Sequence, residues 1–155
     1  MKIEQKIKDM GIELPKAPKP AAMYIPAKQL GNALFISGQI PIVDGKLVYV
    51  GKAGGERTLE EAQEAARICA INIIAAAKEH LVDLDNVRNV VKLQAFVNST
   101  ANFDQAHLVV NAASELFYTI FGEAGRHART AVSTNMLPMN ATVEIEAVFE
   151  VNQRS

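Results

Sequence analysis

Two stretches of the chain place apolar residues at the three- and four-residue steps that are typical of amphipathic helices. The first opens in the sequence TLEE, where Thr58 as N-cap and Glu61 form a capping box, and it runs to about residue 81. The second is predicted to begin with Asn102 as N-cap and Gln105 three residues later, and to end at Gly122. The sequence therefore predicts two long helices.

Other stretches alternate apolar and polar residues, which is the pattern of strands. Strands are predicted at about 33–40 and 46–50, paired as a hairpin through the turn signal Asp44-Gly45. VVKLQAFVN predicts a third strand and ATVEIEAVFEV a last one. The third strand is expected to bury one face, formed by Val91, Leu93, Ala95 and Val97.

The predicted order β-β-α-β-α-β is that of an α+β fold, with two helices on one face of a mixed sheet. In the last strand Glu144 and Glu146 point away from the apolar face, so the second face of the sheet is either wetted or packed against another subunit. One domain is expected over residues 1–155. Residues 1–20 would form a short helix ended by Gly11 and an extended arm containing Pro15, Pro18 and Pro20.

Composition excludes several classes of protein. The chain has 155 residues, of which 49% are apolar and 21% charged, so it is expected to fold around a core. With 16 basic and 17 acidic residues, nothing global attracts nucleic acid or anionic lipid. The single Cys69 excludes an intramolecular disulfide, and no cluster has zinc spacing. We expect no metal, no signal peptide and no membrane span, and hence a cytoplasmic location.

Arg129 and Glu144 are the first candidates for chemistry. Arginine offers a planar fork of donors that can hold a carboxylate, and glutamate can position or activate a water. Spacing alone does not decide whether these two residues form a functional site, since a surface arginine and a surface glutamate are more often simply solvated. The β-branched run TAVST after Arg129 is predicted to be a buried strand.

Four other features have ordinary structural explanations. Ser37 lacks the G-x-S-x-G surroundings of an activated nucleophile and is expected to be a hydrogen-bonding group. His127, between Arg126 and Arg129, is expected to be a solvated loop residue. Cys69 lies on the apolar stripe of a helix and is expected to be a small buried side chain. The glycine-rich GKAGGER lacks the order of a phosphate-binding loop and is predicted to be a mobile loop.

Three motifs follow one another along the chain: LGNALFISGQIP, NAASELFYTIFG and ARTAVSTNMLPMNATVEIEAVFEV. Together they resemble the RidA/YjgF family, the reactive intermediate deaminases long labelled L-PSP endoribonucleases. The resemblance runs from about Ala21 to Val151, and its last motif is the most specific. It implies a chorismate-mutase-like α+β subunit and a homotrimer with clefts between neighbouring subunits.

Members of that family hydrolyse enamine and imine intermediates, such as 2-aminoacrylate, to 2-keto acids and ammonia without a cofactor or metal. The resemblance implies that Arg129 grips the substrate carboxylate and that Glu144 holds the attacking water. Tyr24 corresponds to a tyrosine of the cleft. The other implied substrate-binding positions are Ser37, Asn111 and Ala131.

Two departures from the family pattern indicate a divergent branch. Ala131 stands where the family often has cysteine, so any role there falls to its backbone N–H. The lead-in GRHAR places His127 where the family usually has proline.

The second hypothesis is a trimeric protein that binds small carboxylates without turnover. The third is an endoribonuclease, against which the near-neutral charge and the lack of an aromatic platform both count.

Overall fold

The computed structural model describes residues 1–17, 19 and 22–153. Pro18 and Pro20 of the predicted arm, and Ala21 at the start of the family resemblance, lie outside the described residues. The helices are α1 (Lys2–Asp9), α2 (Leu59–Leu81) and α3 (Ala106–Phe121). The strands are β1 (Ala27–Leu30), β2 (Ala33–Gln39), β3 (Ile42–Val43), β4 (Lys46–Leu47), β5 (Val87–Asn98), β6 (Ala128–Thr134) and β7 (Val143–Val151).

The main sheet has the strand order β1-β2-β7-β5-β6. β5 and β6 run parallel and the other pairs are antiparallel, so the sheet is mixed, as predicted. α2 and α3 pack on each other and on the same side of this sheet, which confirms the predicted α+β class. The strand after Arg129 is present as β6, but it lies at the edge of the sheet and none of its residues is buried. The prediction of a buried strand there was wrong.

The hairpin signal Asp44-Gly45 is confirmed as a tight turn, with φ of 50° and 77° at its two residues. It joins β3 to β4, however, in a separate two-stranded sheet. The predicted pairing of residues 33–40 with 46–50 was wrong, because β2 pairs with β1 and β7. Pro41 lies two residues after the end of β2 and has no N–H for a ladder, which separates β2 from the hairpin.

Helix α2 begins at the predicted capping box. The Glu61 N–H donates to Thr58 Oγ1 at 3.1 Å, and the Thr58 N–H donates to Glu61 Oε1 at 3.2 Å. The predicted start of α3 was wrong: the helix begins at Ala106, and Asn102 lies in the preceding turn. The predicted end at Gly122 is confirmed by its φ of 63°.

Strand β5 contains an irregularity between Val90 and Lys92 that changes which side chains face the core. Val90 is buried and Val91 is 45% exposed, so Val91 does not belong to the buried face that the alternation predicted. Leu93 and Ala95 are fully buried, as predicted. The core between sheet and helices is completed by large side chains that include Phe117, Phe149, Leu34, Ile73 and Ile145.

The glycine-rich loop predicted to be mobile is tied to the end of β5. Ala53 is fully buried, and its N–H donates to the carbonyl of Asn98 at 2.8 Å. The Thr100 N–H in turn donates to the Ala53 carbonyl at 3.1 Å. None of the described helices has the length and hydropathy that a bilayer crossing requires.

Candidate functional site

Arg129 lies on the helix side of edge strand β6. It is aligned with Leu93 of the parallel strand β5, and aligned residues of neighbouring strands point to the same face. Its guanidinium reaches α3, where Nη1 donates to Asn111 Oδ1 at 2.9 Å and to Ser114 Oγ at 3.2 Å. Nη2 donates to the carbonyl of His107 at 3.3 Å. The structure therefore brings together two of the predicted site residues, Arg129 and Asn111.

The guanidinium of Arg129 has capacity left for a ligand. Arginine carries five N–H donors, and the three hydrogen bonds above leave the Nε–H and one N–H of Nη2. Within residues 1–17, 19 and 22–153, Arg129 forms no ion pair with a carboxylate. Partial burial lowers the pKa of Arg129, which nevertheless stays charged at neutral pH. This side chain is a fixed cation that no carboxylate of the described residues pairs with.

A pocket of about 430 Å³ opens beside this guanidinium. Its wall is formed by the backbone of Gly125 and by the side chains of Asn111, Ser114, Glu115, Tyr118, Arg126, His127 and Arg129, and the Glu115 carboxylate forms no ion pair with Arg129 among the described contacts. Ala131 lies two residues beyond Arg129 on the same side of β6 and packs against the core, so its side chain brings no polar group to this wall.

Glu144 lies on the opposite face of the sheet. It is aligned with Phe96 of β5, whose neighbours Ala95 and Val97 point into the core. Burial, with a smaller contribution from Glu146, raises the pKa of the half-buried Glu144 carboxyl. None of the hydrogen bonds and ion pairs between described residues involves this carboxylate, which makes it a desolvated acceptor.

The Glu144 carboxylate lies against Gly38, which is part of a bulge in β2. Between the aligned pairs Ile36–Ala147 and Gln39–Ile145, the two residues Ser37 and Gly38 face the single residue Glu146. A Cβ on Gly38 would lie 2.3 Å from Glu144 Oε1, so only glycine leaves room for the carboxylate in this position.

The bulge also connects β2 to the segment before β1. Ser37 Oγ donates to the carbonyl of Ile25 at 2.7 Å, and the Ser37 N–H donates to the carbonyl of Pro26 at 2.8 Å. Ser37 is thus a hydrogen-bonding residue, as expected from its surroundings in the sequence. Tyr24, one residue before Ile25, is 56% exposed. Ser37, Tyr24 and Glu144 are therefore associated with the β2 region, and Arg129 and Asn111 with the β6–α3 region.

His127 is not the solvated loop residue that was expected. It is half-buried, with Nε2 2.8 Å from Ser114 Oγ and Nδ1 2.7 Å from the carbonyl of Gly125. Its ring meets the buried ring of Phe117 edge-on, with 6.0 Å between the centroids. Sequence reasoning also missed Ser114, although its position three residues after Asn111 on α3 puts both on one helix face.

These features define an α+β protein with an arginine on one face of its sheet, which has no acidic partner in the described part of the chain, and a half-buried glutamate on the other face. The family model described as "YjgF/chorismate mutase-like, putative endoribonuclease" matches residues 4–151. The chain belongs to this family, the RidA/YjgF family.

Individual relatives cover almost the whole chain. Protein TCP17 of Trypanosoma cruzi is 41% identical over 152 residues, which are 97% of this chain and 95% of that protein. The 2-iminobutanoate/2-iminopropanoate deaminase of Dermatophagoides farinae is 31% identical over 141 residues, 90% of this chain and 94% of the deaminase. The solved structure of protein Atu1372 from Agrobacterium tumefaciens, described as of unknown function, is 45% identical with a TM-score of 0.91, and the match covers 97% of this chain and 92% of that one.

Proposed function

We propose that the protein is a hydrolytic deaminase that converts small 2-imino or enamine acids, such as 2-aminoacrylate, to 2-keto acids and ammonia. The observation that carries this proposal is the guanidinium of Arg129, which lines a pocket with two free donors and no acidic partner among the described residues. The name of the Dermatophagoides farinae relative supports the same reaction.

In this proposal Arg129 binds the substrate carboxylate. The free Nε–H and Nη2 N–H would donate to the two carboxylate oxygens, and hydrogen bonds to charged groups contribute about 1.5–3 kcal/mol each. Asn111 and Ser114 hold Nη1 from the other side and so limit the movement of the guanidinium. The acceleration would come from fixing the imine carbon beside a water rather than from a covalent intermediate.

Glu144 is the proposed base for that water. An enamine first takes a proton at C3 and becomes the iminium, whose nitrogen carries two hydrogens. The water oxygen then bonds to C2 while Glu144 takes one water proton and the C=N electron pair moves to nitrogen, which leaves a hydroxyl and an amino group on C2. Glu144 returns its proton to that nitrogen. The C–N bond then breaks with its electron pair leaving on ammonia, while the Glu144 carboxylate takes the hydroxyl proton and the C2 oxygen becomes the keto oxygen. Burial raises the pKa of Glu144, which makes its carboxylate a stronger base than an ordinary glutamate and so suits a group that takes a proton from water.

A second copy of the chain is needed to bring the two residues together, because Arg129 and Glu144 lie on opposite faces of one sheet. We therefore propose a homotrimer in which the Arg129 region of one subunit faces the Glu144 region of the next. The open face of the sheet has apolar surface for such contacts, with Phe35 46% and Val132 42% exposed.

The test is a coupled assay in which a dehydratase generates 2-aminoacrylate and pyruvate formation is followed. We expect the protein to accelerate pyruvate formation and both Arg129→Ala and Glu144→Gln to abolish the effect. Mixing the two variants, after unfolding and refolding together, should restore part of the activity, because some interfaces then combine an intact Arg129 with an intact Glu144. An unchanged rate of pyruvate formation with the wild-type protein would refute the proposal.

Binding without turnover is the second candidate function. One observation favours it: the Arg129 pocket is formed within one subunit and does not need Glu144. A calorimetric titration that shows pyruvate binding, together with an inactive protein in the coupled assay, would support a small-carboxylate-binding protein.

A further inference from the structure

The hydrogen bonds of His127 define which of its nitrogens carries the proton. Nδ1 lies 2.7 Å from the carbonyl oxygen of Gly125, and a carbonyl can only accept, so Nδ1 carries the hydrogen. In the neutral imidazole Nε2 is then an acceptor, and the hydroxyl of Ser114, 2.8 Å away, donates to it. Burial, and to a lesser extent the charge of Arg129, lower the pKa of His127 and favour this neutral form.

The direction of these bonds matters for Arg129. A serine hydroxyl rotates freely until a neighbour fixes it, and here His127 Nε2 takes its hydrogen. The lone pairs of Ser114 Oγ are then available to the Nη1 N–H of Arg129, at 3.2 Å. The chain of donors runs in one direction, from Arg129 to Ser114 to His127 and on to the carbonyl of Gly125.

The far end of this chain is rigid. The imidazole packs edge-on against Phe117, a fully buried ring on α3, at an interplanar angle of 75°. The carbonyl of Gly125 lies in the 3-10 turn that connects α3 to β6. His127 is thus held by the core and by the backbone, and Ser114 transmits its position to the guanidinium.

We propose that His127 and Ser114 are positioning residues of the carboxylate site, which hold Arg129 through Nη1 so that its Nε–H and one Nη2 N–H stay free for the ligand. The proposal rests on the proposed function, since it takes Arg129 as the group that binds the carboxylate. It gives the GRHAR lead-in of this chain a role: the histidine supplies an acceptor that a proline at the same position cannot supply.

A set of matched variants tests this proposal by calorimetric titration with pyruvate. His127→Phe keeps the packing on Phe117 but removes the acceptor, and Ser114→Ala removes the middle of the chain. Each is expected to weaken pyruvate binding about fivefold, the value of one neutral hydrogen bond. The double variant should bind no more weakly than either single one, because the two residues act in series. His127→Gln keeps an acceptor near the Nε2 position and should bind within about twofold of wild type.

Nitrogen NMR supplies a readout that loss of packing would not change. In the wild-type protein the His127 resonances should be those of the Nδ1–H tautomer, and the Nε2 resonance should move when pyruvate binds. In Ser114→Ala the same resonance should not respond to pyruvate, although the protein is folded by its thermal melting curve.

The outcomes separate this proposal from the one on which it rests. If Arg129→Ala abolishes binding while Ser114→Ala and His127→Phe bind like wild type, the positioning role is wrong and the carboxylate site stands. Additive losses in the double variant would also contradict it. If Arg129→Ala binds pyruvate like wild type, the carboxylate site itself is wrong. Should His127→Phe fail to fold, Ser114→Ala alone decides, because its titration and its NMR response both report on the chain of hydrogen bonds.

Discussion

Replacing Gly38 by alanine is expected to remove activity while leaving the protein folded. The new Cβ would lie 2.3 Å from Glu144 Oε1 and 3.1 Å from its Cδ, whereas ordinary contact begins at 3.4 Å. The carboxylate oxygen must therefore retreat by about 1 Å, and a displacement of that size in a reacting group can lower the rate about 100-fold. We expect a fall of about that size in kcat.

The effect on stability should be small, because the atom in the way is the end of a flexible side chain. Gly38 does not have a positive φ, so alanine fits its backbone conformation. Alanine in a strand also restricts the unfolded chain more than glycine does, a gain of about 0.5–1 kcal/mol that offsets part of the steric cost. The free energy of unfolding in urea should stay within about 1 kcal/mol of wild type.

The assay is pyruvate formation from dehydratase-generated 2-aminoacrylate, with Gly55→Ala as the control. Gly55 also lacks a positive φ, and its Cβ would come no closer than 3.2 Å to another atom, so this variant should behave like wild type. A Gly38→Ala protein with wild-type kcat would show that the position of Glu144 against the bulge does not matter for the reaction.

Three further predictions concern stability and reactivity. Thr58→Ala removes the capping box of α2 and should lower the free energy of unfolding by about 1 kcal/mol in urea, whereas Thr119→Ala, on the exposed side of α3, should change it much less. Burial raises the pKa of the Cys69 thiol, so iodoacetamide should label it, as read by mass spectrometry, only after unfolding; rapid labelling of the native protein would contradict its burial. Because the pKa of Glu144 is raised above 4.5, the folded protein keeps a proton that the unfolded chain has lost, so stability should fall as pH rises through that window. Glu144→Gln should remove this fall in a series of urea midpoints between about pH 4 and pH 8, and an unchanged pH dependence would refute the assignment.

Features that depend on neighbours in sequence could be predicted well. The capping box at Thr58 and the turn at Asp44-Gly45 are each formed within four residues, and both appear where the sequence places them. The start of α3 was misplaced because asparagine is a residue type favoured at N-caps, whereas Asn102 lies in a turn. In that turn the Phe103 N–H donates to the Thr100 carbonyl.

Features that depend on a partner strand could not be predicted. The shift at Val90 and the bulge at Ser37 exist only relative to β7, and the edge position of β6 is decided by its parallel pairing with β5. Local composition does not contain this information.

In the candidate site, too, single residues could be predicted from the sequence but contacts between distant residues could not. Arg129 and Asn111 were identified by family resemblance and are in contact in the structure. Ser114 was missed and His127 was expected to be solvated, because their contact forms between the helix α3 and the segment before β6, across 13 positions of the sequence. The opposite orientation of Arg129 and Glu144 likewise follows from strand register, which a spacing of residues does not reveal.

The bulge in β2 also shows which part of this strand the fold needs and which part the candidate site needs. Ser37 and Gly38 occupy two positions opposite one residue of β7, so the strand is one residue longer than a regular ladder requires. Deleting one of the two would leave a single residue opposite Glu146, and a regular ladder would form with Leu34 and Ile36 still facing the core. The deletion would, however, remove either the Ser37 hydroxyl that donates to Ile25 or the glycine that leaves room for Glu144 Oε1. The pairing of β2 therefore does not need the extra residue, whereas the position of the Glu144 carboxylate does.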